Sequence, residues 1–272
     1  QAHEGARVLL EQTRLSGNQI AGILAADDET LLEARHLLID GTVPDPQSFR
    51  LGCGILASTN AELELEDTRL SGTHTVGILI DNSASVHANH ILIDGTRPMK
   101  SHGWMGLAIS VNTGGELKMS GGRLHGNNTN AVNIMLPGSW GSLAGVVVDA
   151  TQPSGTNERW TLGGQGVLSV QQADVQIQSC LLDGNHAAGA GVDPLGGHVD
   201  GVVTEYGRVF HAALTQSYAF AVFQIDSGDN QHFPVQFVKF SSNCSPARAL
   251  FSGWNCTAKM LSLATAAARS TP

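Results

Sequence analysis

Apolar and polar residues alternate along much of this chain, and the alternation is interrupted at intervals by a short phrase whose fourth residue is usually glycine. The phrase is Arg14-Leu15-Ser16-Gly17-Asn18, then Leu38-Ile39-Asp40-Gly41-Thr42, Arg69-Leu70-Ser71-Gly72-Thr73 and Leu92-Ile93-Asp94-Gly95-Thr96. It continues as Arg123-Leu124-His125-Gly126-Asn127, Val147-Val148-Asp149-Ala150-Thr151 and Leu181-Leu182-Asp183-Gly184-Asn185, with a degenerate copy at Glu205-Tyr206-Gly207. Counting back from each anchor, the second and fourth residues are mostly apolar or small: Leu15 and Thr13, Ile39 and Leu37, Leu70 and Thr68, Ile93 and Ile91, Leu182 and Cys180. A period of two places those side chains on one face of a strand.

Two further strands follow in each repeat. One is strongly apolar, with Ile23-Leu24, Ile55-Leu56, Ile78-Leu79-Ile80, Leu107-Ala108-Ile109 and Val132-Asn133-Ile134; the other is more polar and carries Leu63, Leu65, Val86, Leu117, Met119, Val175 and Ile177. The anchors at 17, 41, 72, 95, 126, 150 and 184 are separated by 24, 31, 23, 31, 24 and 34 residues. Long and short spacings alternate, so the unit is a double coil of 54–58 residues whose second coil bears an extra loop just after the anchor phrase. No single coil can bury its inner residues, whereas coils stacked about 4.8 Å apart pair each backbone with the coils above and below. Glycine at six of the seven anchors, Ala150 being the exception, supplies the left-handed conformation of a tight corner. The Asn or Thr that follows is placed to form a structural hydrogen-bonding ladder.

Three short strands in a turn of about 23 residues resemble the pectate-lyase-like right-handed parallel β-helix superfamily, over about residues 6–207. The resemblance implies an all-β, right-handed parallel β-helix solenoid of about 23–31 residues per coil, and it leaves activity open, because the superfamily hosts lyases, hydrolases, epimerases, adhesins and spacers. A helical fold is disfavoured by the absence of a sustained 3.6 period before the last dozen residues. A propeller leaves the internal 23–24 spacing unexplained.

Residues 6–13 align with residues 61–68, and the chain opens Gln1-Ala2-His3-Glu4 without Met or a signal peptide. These features lead us to expect a fragment of a longer protein that begins partway through a coil. Seven of the eight phenylalanines lie at or beyond Phe210. The expected organisation is therefore coils over 1–209, then aromatic-rich final coils and an irregular C-terminal cap over 210–272.

Composition narrows the class. Charged residues make up 14%, aromatics 5%, and there are 32 glycines among 272 residues, which suits a turn-rich β architecture. A net charge of -9 argues against a nucleic-acid partner. No apolar run reaches the roughly 20 residues that span a bilayer. Cys244 and Cys256 lie twelve apart in a stretch compatible with a disulfide-closed loop, which, if formed, favours export. Cys53 and Cys180 read as small buried hydrophobes.

Candidate chemistry concentrates on the long loops. Their copies run from Val43 to Arg50, Arg97 to Trp104 and Gln152 to Trp160, each with proline, a cation and an aromatic. Successive loops are two coils apart, about 9.6 Å along the stack, so they share one side. On one reading they form a ridge or groove in which Phe49, Trp104 and Trp160 stack on sugar rings while Arg50, Lys100, His102 and Arg159 meet carboxylates or hydroxyls. On the other, the aromatics fold back over an outward stripe in which Leu38, Leu92 and Val147 occur in the loop-bearing coils; left exposed, that stripe would be a partner surface. The acidic column Asp40, Asp94, Asp149 and Asp183 brings Asp149 and Asp183 into adjacent coils. There the pair could hold a cation such as Ca²⁺, or simply line a solvated face.

Catalytic signatures are sparse. Asp27-Asp28 and Ser101-His102-Gly103 faintly match motifs of polygalacturonase-like enzymes, but they lie three coils apart and the accompanying Arg-x-Lys is missing. No nucleophile elbow, phosphate loop or zinc-finger spacing is present. The expected function is thus an exported bacterial β-helix segment, extracellular or at the cell surface, that acts as a structural spacer or an adhesin-like, glycan-binding module. A polysaccharide-active lyase or hydrolase with its site on the long-loop side is one alternative. A homo-oligomeric fibre or tail component, associating through coil ends or the apolar stripe, is another. No cofactor other than Ca²⁺ is implied.

Overall fold

The computed structural model describes residues 1–45, 52–99, 105–157, 160–186, 188–192, 197–205, 208–214, 220–223 and 236–239. Every regular element among them is a β-strand. One sheet stacks Ala21–Ala25, Cys53–Ala57, Val76–Ile80, Leu107–Val111, Asn130–Met135, Gln165–Val170 and Ala188–Val192, each parallel to the next. A second, larger sheet stacks Arg7–Glu11, Leu31–Arg35, Glu62–Glu66, Ser85–Asp94, Glu116–His125, Trp140–Ala144, Ala173–Asp183 and Gly197–Glu205 in the same way. Neighbours in each sheet are separated in sequence by a strand of the other, which is the topology of a parallel β-solenoid.

The anchor phrase forms the outer part of the larger sheet. Arg14–Ser16, Leu38–Asp40, Arg69–Ser71 and Val147–Asp149 are separate strands, whereas Ser85–Asp94, Glu116–His125 and Ala173–Asp183 run through the bend as single long strands. That bend is one residue wide except in Glu116–His125, where Gly122, at φ 107°, joins it. Gln12, His36, Asp67, His90, Gly121, Gly145 and Ser179 all have φ between 47° and 65° and stand five positions before their anchors. The anchors make the next corner: Gly17, Gly41, Gly72, Gly95, Gly126 and Gly184 have φ of 58–64°, and Ala150 adopts 56° in the same slot.

The interior is a set of columns, one side chain per coil. Ile39, Leu70, Ile93, Leu124, Val148 and Leu182 are register neighbours from coil to coil and fully buried, as the alternation predicted. Ile23, Ile55, Ile78, Ile109, Val132 and Val167 form the facing column. Stacking like on like leaves no coil with a core of its own, so burial and coil pairing are gained together.

The predicted ladder is present where Asn follows Thr. Asn127 Oδ1 accepts from the Thr96 amide at 3.1 Å and the Thr96 hydroxyl at 2.6 Å, while its Nδ2 donates to the Ile93 carbonyl at 3.3 Å. Asn185 repeats this one double coil later, accepting from the Thr151 amide at 3.2 Å and donating to the Val148 carbonyl at 3.1 Å. Parallel stacking gives way after Gly197–Glu205, against which Arg208–Leu214 runs antiparallel.

Candidate functional site

The long loops leave and re-enter the stack at equivalent points. Their entry positions, Val43, Arg97 and Gln152, each bridge in parallel to a neighbouring coil, at Gln19, His74 and Asn128. Their exits are Gly52, Gly106 and Gly164, with φ of 109°, 98° and 90°. Gly52 donates to the Ile20 carbonyl at 2.9 Å and Gly106 to the Thr75 carbonyl at 2.8 Å; Gly164 donates to the Thr129 carbonyl. Glycine is required there: a Cβ at Gly106 would come within 2.6 Å of Asn128 Cβ and 3.2 Å of the Pro98 nitrogen. The necks are thus built alike, two coils apart, on one side of the solenoid.

Of the loop residues singled out from the sequence, Phe49, Arg50, Lys100, His102, Trp104 and Arg159 lie outside the described residues. Trp160 begins the strand Trp160–Gly163, which pairs antiparallel with Pro153–Asn157, so the third loop is a hairpin with Asn157 opposite Trp160. Cys244 and Cys256 also lie outside the described residues. Cys53 and Cys180 are buried free thiols, and burial pushes the Cys53 thiol up to about 12.

Asp149 and Asp183 are register partners in adjacent coils. The Asp149 carboxylate is held from the other side: Arg123 Nε donates to Oδ1 at 3.0 Å, Arg123 Nη2 to Oδ2 at 2.5 Å, and His125 Nδ1 stands 3.1 Å from Oδ2. A cation shared with Asp183 would have to compete with that guanidinium. Among the described residues, no three His, Cys, Asp or Glu side chains gather into a metal-binding group. The outward stripe alternates Arg14, Leu38, Arg69, Leu92, Arg123 and Val147 in register, and Leu38, Leu92 and Val147 are half-buried.

Several arrangements on the outer faces were not anticipated. On the larger sheet, Glu116, Trp140 and Asp174 are register neighbours, Lys118 Nζ lies 5.8 Å from the Trp140 ring centroid and 2.5 Å from Glu116 Oε1. In the row of Lys118, one coil earlier, His87 Nδ1 lies 2.8 Å from Glu64 Oε1. At the one-residue bend, Asp67 sits between His36 and His90, with Oδ–Nδ1 separations of 3.6 and 3.5 Å. On the outer face of the seven-stranded sheet, Cys53, Val76 and Leu107 form a cluster separate from the core, against which Leu56, Leu79 and Met105 pack. This cluster adjoins the loop exits and grades into Ser110, Asn130, Asn133 and Gln165. Its signal was in the sequence: Asn133 lies between the core residues Val132 and Ile134, so alternation turns it outward.

Comparison with protein families, with curated proteins and with solved structures gives no match. No helix among the described residues is long and apolar enough to cross a membrane.

Proposed function

We propose that this chain is part of an exported or surface-displayed right-handed parallel β-helix of the pectate-lyase-like type, serving as a rigid spacer that presents a glycan-binding side. The observation that carries the reading is the like-built set of loop necks at Val43–Gly52, Arg97–Gly106 and Gln152–Gly164, repeated every second coil on one side. A stack whose inner columns are continuous resists bending, and regular protrusions on one side of it offer repeated contacts to a repeating polymer. The sequence places an aromatic and a cation in every one of those loops, which suits stacking on sugar rings and hydrogen bonding to hydroxyls or carboxylates.

A glycan array combined with a lyase and hydrolase screen tests the reading. Binding without turnover is the expected result, and it should weaken at least tenfold in a Trp104→Ala, Trp160→Ala double variant whose melting temperature is unchanged. Robust turnover of any polysaccharide, or failure to bind any glycan, overturns it.

A further inference from the structure

Two rows of side chains run along the outer face of the seven-stranded sheet. One reads Ala21, Cys53, Val76, Leu107, Asn130, Gln165; the other reads Leu24, Leu56, Leu79, Ser110, Asn133, Leu168. Both are apolar over the first coils and then carry uncharged polar residues, the second row returning to apolar at Leu168. Asn130 is the register partner of Gln165, and Asn133 that of Ser110. The polar side chains are deeply placed, with Asn130 6% and Asn133 5% exposed, while Gln165 is half-buried and brings the cluster to the surface.

Three of these groups lack what burial demands. Asn130 Oδ1, Asn133 Oδ1 and Gln165 Oε1 are buried without a hydrogen-bond partner. An unpaired buried oxygen is destabilising, and buried amides are normally paired, so three on one face of two adjacent coils mark a place for a guest that donates hydrogen bonds. The guest's chemistry follows from the lining. A primary amide sets a donor beside an acceptor, the pattern that neighbouring ring hydroxyls match. Leu79, Leu107 and Leu168 supply an apolar strip for the C–H face of a ring. No Asp, Glu, Lys or Arg occurs in either row, so nothing there would balance a charged ligand.

We propose that Asn130, Asn133 and Gln165 form a subsite for one uncharged sugar residue of a bound glycan. The assignment rests on the glycan-binding reading above and adds to it a location away from the loop tips and a preference for neutral sugars.

The test uses the whole chain on an array of neutral and acidic oligosaccharides, comparing wild type with Asn133→Leu, which matches Leu79 and Leu168 in its row, and with Gln165→Leu at the rim. Binding to neutral oligosaccharides should fall at least tenfold in both variants. The Asn133→Leu melting temperature should hold or rise, because an unpaired buried amide has been replaced by an apolar group of similar size. Wild-type affinity in folded variants, or recognition confined to acidic glycans, would overturn the subsite while leaving the functional reading in place; the amides would then hold ordered water. Should Asn133→Leu fail to fold, Gln165→Leu decides alone. A wild-type protein that binds no glycan would overturn both.

Discussion

Arg123 grips Asp149 across adjacent coils with two hydrogen bonds, Nε to Oδ1 at 3.0 Å and Nη2 to Oδ2 at 2.5 Å. Arg14 and Asp40 repeat the pairing four coils earlier in the chain, with both contacts directed to Oδ2 at 3.2 and 2.6 Å. In each case the arginine stands three before its anchor and the aspartate one before the next. Both pairs thus join the arginine of a short coil to the aspartate of the loop-bearing coil that follows it.

This pairing makes the stack sensitive to acid. Desolvation pushes the Asp149 carboxyl up, but hydrogen bonds from Arg123 and His125, with their charges, outweigh it and hold the group below the usual carboxylate range. Hydrogen bonds from Ser16 and then Arg14 lower Asp40 in the same direction. A carboxyl lowered by folding contributes stability that is present above its unfolded pKa of about 4 and is lost as pH falls through the folded value. Melting temperature followed by circular dichroism should therefore decline below about pH 4. Asp149→Asn should melt earlier than wild type at neutral pH, and the gap should close in acid. A gap independent of pH would show that the ion pair contributes nothing.

The parts of this fold that sequence reveals are those enforced by a single residue. The anchor corner is visible because glycine recurs there, and the column from Ile39 to Leu182 because alternation fixes its face. The second corner was hidden, since Gln12, His36, Asp67, His90, Gly121, Gly145 and Ser179 share a left-handed backbone but no side-chain type. Contacts between coils were hidden for a different reason. Lys118 over Trp140, or Asp67 between two histidines, follows from register across coils, and register emerges only once the coils are aligned residue by residue. The long-loop side could be anticipated from spacing and the outward turn of Asn133 from alternation, whereas the burial of the Asn130 and Asn133 amides could not.

Ile93 tests the shared core. It is fully buried between Leu70 and Leu124. Ile93→Ala should cost about 2–5 kcal/mol in urea unfolding, because neighbouring coils cannot close on the cavity without losing register. Leu9→Ala, at a site 63% exposed, should change stability by no more than about 0.5 kcal/mol. Equal effects would contradict the assignment of inner and outer faces.

Asn127 tests the ladder. Its removal leaves the Thr96 amide, the Thr96 hydroxyl and the Ile93 carbonyl without their partner in a buried corner. Asn127→Ala should destabilise the protein by about 1–3 kcal/mol. Hydrogen exchange should locate the loss, with the Thr96 amide exchanging faster while the Ile39 amide keeps its protection. Uniform loss of protection over all coils would instead mark global loosening.

Ala150 occupies the anchor slot that glycine fills in the other copies, and it holds φ at 56° there. A left-handed backbone costs a residue with a Cβ about 1 kcal/mol, partly offset by the greater freedom glycine brings to the unfolded chain. Ala150→Gly should accordingly raise stability by up to about 1 kcal/mol. The mirror substitution, Gly126→Ala in the preceding coil at φ 60°, should lower it by a similar amount. Measured side by side in urea, the two changes should have opposite signs. If Ala150→Gly proves neutral or destabilising while Gly126→Ala is tolerated, the corner is set by coil stacking rather than by the conformational preference of the residue within it.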